Sequence, residues 1–265
     1  MSRAAVRPWD QFATAATFLT RLPVPVRPAK DGAEHAARLH ASVGWFPIVG
    51  AVVGAACAGT FWLAGLVFPP LVAAVLAAAV GALVTGAFHE DGLADTVDGL
   101  WGGYDAQRRL EIMRDSRIGT YGTLAVVLSS LLLVTTIASL PMAYAGRGLV
   151  VAHLVSRFVV LPMLALVPPA RDDGHGASVA RPPTAASWLV AALTVVVVGA
   201  GLLGWWSAVV LVAALLTAAG VSVVARRKVG GVTGDVLGAA NHLAMLAGLL
   251  VVLALVGQGA PGPFG

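Results

Sequence analysis

Long apolar segments separated by short polar ones dominate the pattern along the chain. Seven segments are long enough, or nearly so, to cross a hydrocarbon core about 30 Å thick. They lie near residues 43–67, 69–88, 121–143, 148–167, 187–204, 206–225 and 236–257. The pattern predicts an all-α, polytopic integral membrane helix bundle with about seven transmembrane helices. Residues around Trp205-Trp206 form either one long hairpin or two short spans.

The composition supports this class. The chain has 265 residues, of which 58% are hydrophobic and only 11% charged, and its mean hydropathy is +0.86. A soluble domain contains about 25% charged residues. Most of the length is needed for the bundle, so residues 1–265 are expected to form a single membrane domain in a lipid bilayer, without a separate soluble domain.

The basic residues predict an orientation. With seven spans, residues 1–42, 89–120, 168–186 and 226–235 share one side of the membrane and hold fifteen of the seventeen lysines and arginines. Such a bias marks the cytoplasmic side. The N-terminus is therefore expected on the cytoplasmic side and the C-terminus on the other, with residues 1–42 cytoplasmic or interfacial. The positive charge is read as orientation rather than as nucleic-acid binding, and a homo-oligomer is compatible with every feature.

The N-terminal segment contains a candidate amphipathic helix. Trp9, Phe12, Ala16 and Leu19 recur at helical spacing ahead of the proline-containing run Leu22–Val26. Such a helix either lies on the membrane surface or packs against the bundle.

Residues 89–120 form the largest internal loop and the predicted cytoplasmic catalytic loop. Asp91–Asp98 is expected to extend the second span as a helix that Gly99 breaks. Asp105–Arg117 is expected to form a second, highly charged helix.

Acidic residues at the start of this loop predict a metal site. Asp91, Asp95 and Asp98 are spaced i, i+4 and i+7, which places them within an arc of about 60° on one helix face. Two carboxylates about 6 Å apart repel by roughly 2–3 kcal/mol at an effective dielectric of about 20, and a bound Mg²⁺ or Mn²⁺ removes that repulsion. Glu90 is a further candidate metal ligand, and His89 a candidate substrate ligand. The alternative is a solvated helix end.

Arginines follow the acids within the same loop. Arg108, Arg114 and Arg117 are candidate substrate-binding residues, because guanidinium forks match phosphate oxygens. Acids, a metal and arginines together are the parts needed to transfer a phosphoryl group. The alternative is salt bridging within the loop.

Two more ionisable residues are candidate substrate ligands. Arg157 lies inside an apolar span, four residues after His153, and pairs with substrate or a carboxylate unless it reaches toward the cytoplasmic end. Asp235 lies in the glycine-rich run Gly230–Gly238, which opens the last span. A helix N-terminus there offers N–H groups to an anion, or else the run is a cap with close packing.

Four motifs carry a resemblance to a known family. Phe18–Pro25, His89–Gly99, Glu111–Gly122 and Gly231–Ala239 resemble the cobalamin synthase family, the adenosylcobinamide-GDP ribazoletransferases of the B12 pathways. The resemblance runs from about residue 9 to 245. It departs at Asn241-His242, where relatives often carry a glutamate.

The resemblance implies a Mg²⁺-dependent transferase of the bacterial inner membrane. It would join adenosylcobinamide-GDP to α-ribazole, or its 5′-phosphate, and release GMP. Asp91, Asp95 and Asp98 would hold one or two Mg²⁺ ions on the pyrophosphate, and the arginines would grip the phosphates. Either Asp98 or Asp115 would take the proton of the attacking hydroxyl.

Two rival functions are less consistent with the sequence. A cation-coupled transporter would use Arg157 and His153 along a pathway, but the charges cluster at one face and no inverted repeat is visible. A CDP-alcohol-phosphotransferase-like enzyme would carry a basic residue after Ala94, where this chain has Asp95.

Overall fold

The described residues of the computed structural model, 7–170, 182–260 and 262–264, form a bundle of α-helices. Much of the predicted cytoplasmic segment 168–186 lies outside them. The helices are α1 (Pro8–Leu19), α2 (Gly32–Ser42), α3 (Phe46–Gly65), α4 (Pro70–Thr85), α5 (Phe88–Gly102), α6 (Ala106–Ile112), α7 (Thr120–Ser139), α8 (Met142–Phe158), α9 (Val160–Leu166), α10 (Ala185–Leu203), α11 (Trp206–Val229) and α12 (Gly234–Gly257).

The span count agrees with the sequence. Among the described residues, six continuous helical segments are long and apolar enough to cross a membrane. The bent pair α4 and α5 raises the number to seven if it counts as one span. The prediction of an all-α membrane bundle with about seven spans is therefore confirmed. The region around Trp205-Trp206 contains two helices of 19 and 24 residues, so the two-span alternative is correct.

One predicted link is wrong. Residues 144–147 were expected to connect two spans, but they lie inside α8, which begins at Met142. The link is Leu140-Pro141 instead. Pro141 has no N–H to donate and suits the position just before a helix, so it ends one span and starts the next within two residues.

The second predicted span does not continue straight into the acidic helix. The chain bends by 87° between α4 and α5. Gly86 and Ala87 both have left-handed backbone conformations, with φ of 67° and 56°, and such residues end a helix. The prediction of a collinear extension is therefore wrong, although Asp91–Asp98 is helical as expected.

The turned helix α5 packs closely against the start of α12. A Cβ atom added at Gly92 would lie 2.9 Å from the carbonyl oxygen of Asp235 and 3.2 Å from the Cα of Gly238. Backbone meets backbone here, and no larger residue fits without moving a helix. This contact brings the acidic motif of α5 beside the glycine-rich motif of α12.

Asp98 joins α5 to the N-terminus of α7. Its Oδ2 accepts a hydrogen bond of 2.7 Å from the N–H of Gly119, and its Oδ1 accepts one of 2.9 Å from the N–H of Gly122. The first N–H groups of a helix lack intrahelical partners, so the carboxylate acts as a cap supplied from another helix. The side chain is buried.

The loop between α5 and α7 differs from its prediction. Gly99 does not break α5, which continues to Gly102. Because Gly99 has no side chain, Met113 can pack against it. The charged helix α6 spans only Ala106–Ile112. Beyond its end, Asp115 Oδ1 accepts a hydrogen bond from the N–H of Arg117, a local bond of the kind that competes with helix formation.

The N-terminal helix α1 packs against the bundle, so the second alternative for this segment is correct. Ala15, Ala16 and Leu19 are buried in a cluster with Leu39 and Phe46. Trp9, at the far end of the helix, remains 58% exposed. Docking of α1 makes the N-terminal segment one wall of the cavity that is described below.

Replacing Gly92 with alanine is expected to separate α5 from α12. Overpacking of this kind costs about 1–3 kcal/mol, so the midpoint of thermal unfolding in detergent should fall. Gly59→Ala is the matched control, because a Cβ at that helical position meets no atom within 4 Å. Equal midpoints for the two variants would contradict the close contact.

Replacing Asp98 with asparagine is expected to destabilise the junction of α5 and α7. One of the two backbone N–H donors would face an NH₂ group, and an unsatisfied buried donor costs about 1–3 kcal/mol. The unfolding midpoint of purified protein measures this effect. Asp91→Asn is the comparison, since Asp91 is exposed and caps no helix; it should unfold like the unmodified protein.

Candidate active site

A cavity of about 550 Å³ opens where the N-terminal segment meets α5 and the start of α12. Helices α1, α2, α4 and α5 contribute to its walls together with α12. The polar or charged side chains along it are those of Thr14, Thr17, Thr20, Arg21, His35, Thr85, His89, Asp91, Thr233, Asp235 and Asn241. The cavity therefore combines hydroxyl groups with charges of both signs.

Three of the four sequence motifs meet at this cavity. Phe18–Pro25 contributes Thr20 and Arg21, His89–Gly99 contributes its first residues, and Gly231–Ala239 contributes Thr233 and Asp235. The fourth motif, Glu111–Gly122, does not line the cavity. It is tied to the second motif through the hydrogen bonds that Asp98 accepts.

The predicted trio of aspartates is divided along α5. Asp91 is exposed and lines the cavity, and its carboxylate forms no hydrogen bond or ion pair with another described residue. Asp98 lies about 10 Å further along the helix axis, where it caps α7. Asp95, between them, is half-buried and is not part of the cavity lining. One helix face thus meets different surroundings at its two ends.

Asp235 is the second carboxylate at the cavity. It is half-buried in the first turn of α12, and the hydroxyl of Thr233 donates to its Oδ2 at 3.3 Å. The same Thr233 oxygen caps the helix by accepting from the N–H of Val236. The cap with close packing is therefore the arrangement that this run adopts. The run also faces the cavity, and anion binding there stays a prediction.

The carboxylates of the cavity are candidate ligands of a divalent cation. Within the described ranges, no group of three His, Cys, Asp or Glu side chains is gathered closely enough to hold a metal ion. Mg²⁺, however, is commonly bound by one or two carboxylates plus substrate phosphates and water. Asp91 and Asp235 supply two carboxylates to one cavity, which fits that mode. The metal roles predicted for Glu90, Asp95 and Asp98 stay predictions.

Glu90 points away from the cavity, into the bundle. Its Oε1 lies 3.5 Å from Nδ1 of His242 on α12. His242 and the neighbouring Asn241 are both buried. His242, one of the two residues at which this chain departs from the family resemblance, is therefore the residue that meets Glu90 in the interior.

Arg157 is buried in the same interior region. Its Nη1 donates to Ser156 Oγ at 2.8 Å and lies 3.0 Å from His153 Nδ1, while its Nη2 lies 3.5 Å from His89 Nδ1. Arg157 does not line the cavity, but His89 does. Arg157 thus contacts His89, and His89 lies between the buried arginine and the cavity.

The arginines of the loop lie outside the cavity lining. Arg108 pairs with Glu111 at 3.1 Å and Arg117 pairs with Asp115 at 2.6 Å, as the salt-bridge alternative supposed. Arg114 is exposed on the same segment. The Arg117 guanidinium lowers the pKa of Asp115 to about 2, which makes this carboxylate a weak proton acceptor.

Sequence reasoning missed the contribution of the N-terminal segment. Arg21 and His35 line the cavity, yet in the sequence Arg21 counted only toward membrane orientation. Thr20 and Arg21 lie inside one of the four family motifs, and that was the signal available. Thr20 and Arg21 precede the acidic motif by about seventy residues, so the sequence did not indicate that they would lie at the same cavity.

Comparisons with known proteins place the chain in a family. Residues 11–253 match the family model described as cobalamin-5-phosphate synthase. The chain is 41% identical to the adenosylcobinamide-GDP ribazoletransferase of Bradyrhizobium diazoefficiens over 244 residues, which cover 91% of this chain and 92% of the relative. No solved structure matches.

Proteins of the same name from other bacteria are similar. The Ralstonia nicotianae protein is 41% identical, with 89% of this chain and 92% of the relative covered. The Shewanella frigidimarina protein is 37% identical, with 94% of this chain and 96% of the relative covered. The chain therefore belongs to the cobalamin-5-phosphate synthase family.

Proposed function

We propose that this protein is a membrane transferase that joins adenosylcobinamide-GDP to α-ribazole, or to α-ribazole 5′-phosphate, and releases GMP. The relatives named adenosylcobinamide-GDP ribazoletransferase support this activity. The observation that carries the proposal is the meeting of three separate motifs at one cavity that contains two carboxylates and an arginine.

The reaction exchanges the phosphoanhydride bond of a diphosphate for a phosphoester bond. A ribazole hydroxyl attacks the phosphorus next to cobinamide, and the bond from that phosphorus to the oxygen of the GMP portion breaks. The products are the joined phosphodiester and GMP, and the hydroxyl proton is released. Positioning and charge neutralisation carry most of the catalysis in such transfers.

Asp91 and Asp235 are the residues that would hold Mg²⁺, with Mn²⁺ as a substitute. When bound, the cation would neutralise part of the diphosphate charge. The packing of Gly92 against Asp235 and Gly238 sets the separation of the two helices that carry these carboxylates. Arg108, Arg114 and Arg117 stay predicted phosphate ligands from the adjoining segment.

The predicted proton acceptors are Asp98 and Asp115. Both oxygens of Asp98 already accept backbone hydrogen bonds, and Asp115 is held by Arg117. Neither lines the cavity, whereas Asp91 and Asp235 do. The geometry therefore argues against both Asp98 and Asp115 as the proton acceptor.

The site is proposed to face the cytoplasm of the bacterial inner membrane. Fifteen of the seventeen lysines and arginines lie on the side that holds residues 1–42 and 89–120 if α4 crosses the bilayer. The cavity is lined by residues of both segments. A cytoplasmic opening also suits nucleotide substrates.

Asp91→Asn is expected to lower the rate of GMP release on the order of 100-fold, because metal stabilisation of phosphoryl charge is worth several kcal/mol. The variant should also need more Mg²⁺ for half-maximal activity. GMP release from adenosylcobinamide-GDP and α-ribazole across a Mg²⁺ series measures both effects. Asp105→Asn is the control, because it makes the same change outside the cavity at an exposed helix N-cap, where asparagine caps equally well. Equal activity of the two variants would overturn the role of Asp91.

Cysteine labelling tests the topology. Cys57 is the sole cysteine of the chain and is buried, so a cysteine introduced on the surface supplies the accessible thiol. Lys30→Cys and Ser116→Cys should react with an impermeant maleimide only from the cytoplasmic side, and Gln258→Cys only from the other side. Labelling of Lys30→Cys and Ser116→Cys from opposite sides would show that α4 does not cross the membrane.

A further inference from the structure

Arg21 has an unusual position for a basic residue of this chain. It is the only lysine or arginine along the cavity among the described residues, where it shares the lining with Asp91 and Asp235. Its side chain is exposed, and its guanidinium forms no hydrogen bond or ion pair with another described residue. Five N–H donors are therefore available inside the cavity.

The backbone around Arg21 is held in place. Its N–H donates to the carbonyl oxygen of Val84, in the last turn of α4, at 2.7 Å. The neighbouring Thr20 hydroxyl donates to Ala16 and accepts from the N–H of Leu22. These bonds tie the end of α1 to the end of α4, so the arginine starts from an ordered position.

The side chain of Arg21 lies across the bend that begins α5. A Cβ atom at Gly86 would collide with Arg21 Nε, and Gly86 has a φ of 67°. The absence of a side chain at this left-handed residue thus lets the arginine pass over the bend toward the cavity. The feature that turns α5 also makes room for the guanidinium.

Arg21 and Asp91 carry opposite charges in the cavity but are not paired with each other. Arg21 and Asp91 line the same space but form no ion pair with each other. An arginine that only balanced the acids would be expected to bind one of them. A guanidinium and a carboxylate held apart suit a ligand with both phosphoryl oxygens and a bound cation. His35, exposed on α2, adds a second donor to the same lining.

We infer that Arg21 binds a phosphoryl group of substrate in this cavity, with His35 as a secondary donor. The inference rests on the proposed transferase function. The ligand is either the diphosphate of adenosylcobinamide-GDP or the 5′-phosphate of the ribazole nucleotide, because both present the same oxygens to an arginine fork.

Steady-state kinetics of Arg21→Gln distinguish the two candidate ligands of Arg21, the diphosphate and the 5′-phosphate. Hydrogen bonds to charged groups correspond to about a 10- to 100-fold change in affinity. If the diphosphate is the ligand, the KM for adenosylcobinamide-GDP should rise by that factor with either acceptor. If the acceptor phosphate is the ligand, the KM for α-ribazole 5′-phosphate should rise while the KM for α-ribazole stays unchanged. Arg21→Lys, which keeps the charge but not the fork, should restore part of the loss.

Arg27→Gln is the matched control, because Arg27 is an exposed arginine of the same segment that does not line the cavity. All KM values of Arg21→Gln within twofold of this control, with an unchanged unfolding midpoint, would overturn the inference. A separate titration of the purified proteins with inorganic pyrophosphate in a calorimeter should give weaker binding to Arg21→Gln than to Arg27→Gln. Failure of the unmodified protein to release GMP would count instead against the proposed function, since the titration does not need turnover.

Discussion

Two helices approach backbone to backbone only where neither carries a bulky side chain, and the site of this protein depends on one such contact. Gly92 on α5 lies against Gly238 and the backbone of Asp235 on α12. Asp91 is the neighbour of one glycine, and Asp235 is part of the other helix at the same crossing. The close packing therefore places two carboxylates at one cavity although 144 positions of the chain separate them.

The bend before α5 makes this contact possible. A helix that continued α4 in a straight line would carry its acids away from the bundle, whereas the 87° turn lays α5 against α7 and α12. The aspartates of α5 then have different surroundings, because a different part of the molecule lies opposite each one. Asp91 faces open space, while Asp98 satisfies two amide groups of α7. Equal spacing on a helix thus does not mean equal surroundings.

The interior of the bundle contains a second polar region. A buried guanidinium is expensive in an apolar surrounding unless hydrogen bonds satisfy it. Arg157 meets this condition through Ser156 and His153 on its own helix and approaches His89 on α5. The Glu90–His242 contact joins α5 to α12 in the same region. Together these contacts hold the start of α5, from which Asp91 faces the cavity.

The sequence by itself determined the class of the protein, the approximate spans and the motifs that meet at the cavity. Apolar length decides whether a helix can cross a bilayer, and that property is local. Local spacing also placed Asp91, Asp95 and Asp98 on one helix face. It did not reveal that Asp98 would cap α7, that Arg157 would lie behind His89, or that Arg21 would reach the cavity. Those outcomes depend on which helix lies opposite each side chain, and only the bend at Gly86-Ala87 and the packing at Gly92 decide that.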